Sequence, residues 1–184
     1  MGIVDDALDR ADQEAFTREP PRSLKARINF LMKQLRTTKA VAREIGVSQR
    51  SVERYIKGER KHPPKAVSDR IDTAVRSRWQ PRVRRRRQQQ AAAATGITVE
   101  TRARFGYTAP VGTTDDGRMR RLTVHLPPPY ARRLFDAQQQ GADDARLRDI
   151  VAEGLQEIYF KEGGRRAQDL EVELTDVDYF DVSY

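Results

Sequence analysis

The sequence predicts an α+β protein in which an N-terminal all-helical helix-turn-helix module is joined by a basic arm to a small β-hairpin plus two-helix domain with a C-terminal strand. Three observations predict it. Apolar residues recur at helical spacing through residues 24–79, and they alternate at strand spacing in ITVETRARFGYT (97–108) and RRLTVHL (120–126). The charge also changes sign along the chain: residues 1–96 hold 23 Lys+Arg against 11 Asp+Glu, net +12, and residues 97–184 hold 12 against 16, net −4. A basic half of this kind suits a polyanion, above all nucleic acid, while the acidic half suits protein contacts or its own core. The expected divisions are an N-terminal segment (1–22), a helix-turn-helix DNA-binding domain (23–81), an Arg/Gln/Ala-rich linker (82–96) and an α+β domain (97–184).

Composition narrows the chemistry. There is no cysteine, and His62 and His125 are the only histidines, so disulfide frameworks, cysteine-ligated zinc and iron–sulfur clusters are excluded. No apolar run approaches the ~18 residues of a membrane span, and MGIVDDALDR is too acidic and broken for a signal peptide. A cytoplasmic protein with no membrane partner is expected.

The first helix is expected over 23–35, where Leu24, Ile28, Leu31, Met32 and Leu35 share a face behind Ser23 as N-cap. Thr38 then caps a short helix over 39–45, Gly46 permits a left-handed turn, and Ser48 caps a second helix over 49–57 that ends at Gly58. Ala42 is small where two helices cross closely, and Val41, Ile45, Val47, Val52 and Tyr55 or Ile56 supply the shared core. That spacing is a helix-turn-helix pattern, which directs Ser48, Gln49, Arg50, Ser51 and Arg54 toward base edges or phosphates. A further helix over 64–79 carries Val67, Ile71, Ala74, Val75 and Trp79 on one side. Seven arginines follow between positions 76 and 87, and Arg82, Arg84, Arg85, Arg86 and Arg87 are read as a basic arm along DNA, the alternative being a solvated linker.

In the second half, Ile97, Val99 and Thr101 face one way on the first strand, and Leu122, Val124 and Leu126 repeat that pattern on the next. Asp116-Gly117 is a two-residue hairpin turn signal, and Asp115, Asp116 and Gly117 are assigned to the turn. A helix over 130–140 presents Ala131, Leu134 and Phe135; Asp143 or Asp144 then caps a longer one with Leu147, Ile150, Val151, Leu155, Ile158 and Tyr159. A strand followed by two helices also fits a ribbon-helix-helix dimer, against which the upstream strand and the negative charge argue. DLEVELTDVDYFDV alternates acidic and apolar residues and is expected to be an edge strand with a negative outer face.

The order of GVSQRSVERY, SRWQPRVRRR, TRARFGYTAPVGTTDD, RMRRLTVHLPPPYARRLFDAQ and AEGLQEIYF resembles the telomere terminal proteins of Streptomyces linear chromosomes and plasmids, the Tpg type. The resemblance spans about residues 25–165 and is most specific from Thr101 to Gln138. It implies a protein primer that accepts the first deoxynucleotide on a threonine hydroxyl of the TTDD region and remains linked to the 5′ end. By position the acceptor is Thr114, with Thr113 as the alternative. The implied partners are telomeric DNA (3′ overhang and duplex), a DNA polymerase and a telomere-binding protein, at replicon ends in the nucleoid, with homo-oligomerisation left open. No tightly bound cofactor is implied; Mg²⁺ belongs to the polymerase, so the chain is a nucleotidylation substrate and not itself an enzyme. Without the resemblance, a helix-turn-helix module with a small α+β domain reads as a transcriptional regulator whose C-terminal domain dimerises.

Overall fold

A computed structural model describes residues 2–108, 118–161 and 171–184. In chain order its helices are α1 (Ile3–Glu14), α2 (Leu24–Leu35), α3 (Thr38–Glu44), α4 (Gln49–Lys57), α5 (Lys65–Arg78), α6 (Pro81–Gln90), α7 (Pro128–Gln139) and α8 (Asp144–Leu155). The strands are β1 (Ile97–Thr108), β2 (Arg118–Leu126) and β3 (Glu171–Ser183), in one antiparallel sheet of order β2-β1-β3. The fold class is therefore α+β. Two compact units are present: Phe16–Pro81, and Met1–Ala15 with Arg82–Tyr184. Among the described residues, no helix is long and apolar enough to cross a membrane.

In the unit Phe16–Pro81, local signals set the helix ends. The Ser23 hydroxyl accepts from the Ala26 N–H at 3.3 Å, and the Ser48 hydroxyl accepts from the Ser51 N–H at 3.2 Å. Arg36 adopts φ 70°, which ends α2 and leaves Thr37 extended, so Thr37 and not the expected Thr38 caps α3, accepting from the Ala40 N–H at 3.1 Å. Gly46 at φ +64° turns the chain between α3 and α4. Ile28, Leu31, Val41, Ala42, Ile45, Val52, Tyr55, Val67, Ile71, Ala74 and Val75 form one buried core. Each fully buried aliphatic side chain in it contributes about 1.5–3 kcal/mol relative to exposure. From α5, Arg70 Nε donates to the Ile45 carbonyl at 2.8 Å, bracing the start of the turn, and the Trp79 indole N–H donates to the Arg18 carbonyl at 2.8 Å.

In the other unit the sheet buries one face. Ile97, Val99, Ala103 and Phe105 of β1, Leu122, Val124 and Leu126 of β2, and Phe180 and Val182 of β3 pack into a core with Val4 and Leu8 of α1, Leu134 and Phe135 of α7, and Leu147, Ile150, Val151 and Leu155 of α8. Thr101 is also buried, and its hydroxyl donates to the Tyr179 carbonyl at 2.9 Å. The C-terminal strand is an edge strand, as expected, on β1. Its register shifts between Arg102 and Arg104, opposite Asp176 at φ +46°.

Several sequence expectations need correction. The N-terminal segment expected over 1–22 is divided: α1 buries Val4, Ala7, Leu8 and Ala11 in the α+β core. Residues 82–96 are not a linker, because α6 starts on Pro81, which tolerates a first helical turn, and continues in a π-helical turn, Ala91–Thr95, with Ala91 buried in the same core. The helix expected from 130 begins at Pro128 for the same reason. The Asp116-Gly117 turn signal lies outside the described residues, in which β1 and β2 pair as far as Phe105↔Arg118.

Candidate nucleic-acid interface

The N-terminal turns of α4 carry the side chains assigned to DNA. Ser48, Gln49, Arg50 and Arg54 are exposed and Ser51 is half-buried. Ser48 is occupied as a helix cap, and its hydroxyl lies 3.0 Å from that of Ser51, so these two fix the helix start before they can reach a ligand. Gln49 Nε2 donates to Glu53 Oε1 at 3.3 Å. Arg54 faces the Glu59 carboxylate at 3.6 Å with both side chains half exposed, a pair worth about 0–1 kcal/mol that a phosphate can displace. Arg50 has no hydrogen-bond or ion-pair partner among the described residues.

The structure adds basic side chains beyond those the helix-turn-helix pattern singles out. Lys39 and Arg43 are exposed one turn apart on α3, Lys57 follows Arg50 and Arg54 on α4, and Arg60 and Lys61 are exposed just after it. The sequence does carry a signal for them: Lys39 and Arg43 stand at i, i+4, and Arg50, Arg54 and Lys57 at i, i+4, i+7, spacings that share one helix face. The unit Phe16–Pro81 holds 17 Lys+Arg against 6 Asp+Glu, net +11, against +8 for the whole chain, so the entire positive excess resides there and the other unit is net −3.

The arginine run behaves differently from an arm. Successive residues of a helix point about 100° apart, and α6 sorts the arginines accordingly. Arg82, Arg85 and Arg86 are exposed. Arg87 donates to the Tyr184 carbonyl at 2.6 Å. Arg84 turns inward between Asp9 at 2.8 Å and Asp12 at 3.1 Å and is withdrawn from any DNA surface. Asp12 is 2% exposed and also accepts from Gln88 at 3.0 Å and from the Tyr184 hydroxyl at 2.5 Å. Burial pushes the Asp9 carboxyl above its ordinary range while Arg84 pulls it down; burial and the Asp12 charge push the Tyr184 phenol far above the usual tyrosine range.

Thr113, Thr114, Asp115, Asp116 and Gly117 lie outside the described residues. What is described is the ribbon that leads to them, paired as far as Arg104↔Met119 and Phe105↔Arg118. Among the described residues no group of three or more His, Asp or Glu side chains is gathered that could hold a metal ion. Comparison with protein-family models, curated proteins and solved structures finds no match to this chain.

Proposed function

We propose that this protein is a terminal protein of a linear replicon, which binds telomeric DNA and primes end-patching synthesis on the Thr114 hydroxyl. In this reading α3 and α4 form a helix-turn-helix, and Arg50 and Arg54 meet the duplex with support from Lys39, Arg43 and Lys57. The observation that supports the priming role is the connection 109–117: it holds Thr113 and Thr114 and joins two long paired strands that are anchored in a packed core as far as Phe105. A hydroxyl on such a connection can enter a polymerase cleft as a primer terminus does, while the core stays outside.

The reaction needs little from the chain itself. The Thr114 oxygen attacks the α-phosphorus of a deoxynucleoside triphosphate, a phosphodiester bond to the side chain forms, and the bond to pyrophosphate breaks. The hydroxyl proton passes to a base of the polymerase or to water, and Mg²⁺ held by polymerase carboxylates neutralises the charge on the leaving pyrophosphate. The telomere-binding protein and polymerase are the partners this assigns.

The test is transfer of a labelled deoxynucleotide in the presence of the polymerase and Mg²⁺. Thr114→Ala is expected to abolish labelling and Thr114→Ser to retain part of it, with Thr113→Ala less costly because only one hydroxyl can be aligned with the phosphorus. Mass spectrometry of the 105–118 peptide locates the nucleotide. Label on Thr113 would move the acceptor by one residue; no label on any residue, where an authentic terminal protein is labelled, would overturn priming and leave a DNA-binding regulator.

A further inference from the structure

Helices α1, α7 and α8 cover one face of the sheet, and the side chains of the other face are set by the strand alternation. On β1 these are half-buried Thr98 and Glu100 and exposed Arg102 and Arg104; on β2, exposed Met119, Arg121, Thr123 and His125. The register makes rows across the sheet. Arg121, Arg102 and Tyr179 form one row, and Met119, Arg104 and Thr175 the next, nearer the 109–117 connection. Tyr179 on β3 and Met119 on β2 are 43% and 41% exposed, so large apolar surface flanks the central strand β1 on this face.

We propose that this open face binds single-stranded DNA and lays it along the β1–β2 ribbon. The choice of DNA rests on the reading above; the choice of single strand rests on the surface. An exposed ring flanked by guanidinium groups can stack on an unpaired base, whereas the bases of a duplex are already stacked on each other. The guanidinium groups are available for exchange. Arg102 faces Asp178 at 3.6 Å, Arg104 faces Asp176 at 3.5 Å, and Arg121 Nε donates to Glu100 at 2.9 Å, all solvent-accessible pairs that phosphate can replace.

The carboxylates also give the lane a direction. Glu173, Asp176, Asp178 and Asp181 lie along β3, the acidic edge, while the arginines lie on β1 and β2, so a phosphate backbone is steered to the β1–β2 side with its bases toward Tyr179. At the end of the lane away from the connection is a cavity of about 410 Å³ whose lining includes Arg87, Thr98, His125 and Ser183, hydrogen-bonding groups suited to a phosphate. From Thr98 to Arg104 the lane runs about 20 Å along β1, enough for a few nucleotides.

The experiment uses the full chain with a fluorescent oligo-dT strand and, separately, a mixed-sequence duplex. Replacing Arg102, Arg121 and Tyr179 together by alanine is expected to weaken oligo-dT binding at least tenfold and to change duplex affinity less than twofold. Tyr179→Phe is expected to keep strand binding, because the ring survives. Ultraviolet crosslinking of a 5-bromouracil strand should label the peptide holding Tyr179. Parental oligo-dT affinity in the triple variant, no strand binding by the wild type, or a crosslink confined to residues 16–81 would each overturn the proposal. So would a concentration-dependent doubling of mass that the triple variant abolishes, which would assign the face to a second copy of the chain. Loss of duplex binding alone in the wild type would instead count against the helix-turn-helix reading and leave this face standing.

Discussion

Arginine serves different ends in the two units. In Phe16–Pro81 bases outnumber acids 17 to 6, so several arginines are left to solvent: Arg36, Arg43, Arg50 and Arg60 are exposed, while Arg22, Arg27, Arg54 and Arg78 meet Glu19, Asp72, Glu59 and Glu44. In the α+β unit more of the arginines answer carboxylates, as in Arg84 with Asp9 and Asp12, Arg121 with Glu100, and Arg133 with Glu153, while Arg82, Arg85 and Arg86 stay exposed. Charge written in a sequence is therefore a poor measure of charge available to a ligand; pairing decides it, and pairing depends on residues far away in the chain. On the proposed duplex surface Arg50 is unpaired among the described residues and Arg54 meets only the exposed Glu59 carboxylate at 3.6 Å. The proposed single-strand surface is available only by exchange of weak pairs.

The sharpest way to break this contrast is on α6, where paired and unpaired arginines are neighbours. Arg84→Ala leaves the Asp12 carboxylate buried without its cation, and such a loss costs about 3–5 kcal/mol. Arg85→Ala or Arg86→Ala, on exposed positions of the same helix, should change stability by no more than about 0.5 kcal/mol. Urea denaturation of the three variants measures both. A mild effect at Arg84 would mean that the pairing is incidental and that α6 is the free basic arm after all.

The next effect is on binding. Arg50→Ala with Arg54→Ala should weaken duplex binding by about 1–3 kcal/mol for each side chain that reads a base edge, less for one that meets only phosphate, without moving the thermal transition. A fragment of residues 16–81 should bind duplex DNA alone, with affinity that falls steeply with salt. Cutting at 81 matters: a fragment carried on to 95 would remove α6 from the core in which Ala91 is buried. A flat salt response would show that the exposed lysines and arginines are a solubility device.

How far the sequence was legible follows the same division. Helices α2 to α5 could be read within a residue or so because their signals are local: Ser23 and Ser48 as caps, Gly46 and Gly58 at positive φ, and a repeating apolar face. Strands β1 and β2 were legible from alternation and β3 from its acidic outer face. What escaped was what depends on distant partners. Helix α1 looks polar and acidic until Val4, Ala7, Leu8 and Ala11 are seen against the sheet, and α6 looks like a repelling charge run until Arg84 meets Asp9 and Asp12. The Asp116-Gly117 signal falls outside the described residues, while the register of β1 with β2 is fixed by which side chains reach the core. The candidate DNA residues divide likewise: Arg50 and Arg54 are exposed as expected and Arg84 is not, while Lys39 and Arg43 stand outside the second helix, to which the pattern assigns base reading.

The smallest effect concerns the same buried carboxylate from its other side. The Tyr184 hydroxyl donates to Asp12 at 2.5 Å, and the ring stacks edge-on against Phe135 at 5.1 Å between centroids. Tyr184→Phe keeps the ring and removes only the donor, while Arg84 and Gln88 still serve Asp12, so the cost should be about 1–2 kcal/mol at neutral pH. The pH dependence gives an independent reading. Burial and the Asp12 charge raise the folded-state pKa of this phenol above its unfolded value near 10, so the folded state holds the proton more tightly. Its stabilising contribution is therefore fully present below about pH 10 and is lost as pH rises beyond that, because the unfolded chain gains stability by ionising while the folded chain does not. Denaturant midpoints measured between pH 8 and about pH 11 should fall in the wild type more steeply than in Tyr184→Phe, so that the two curves converge at the alkaline end. Parallel curves would show that Tyr184 titrates as an ordinary surface phenol and that Asp12 is held by Arg84 and Gln88 alone.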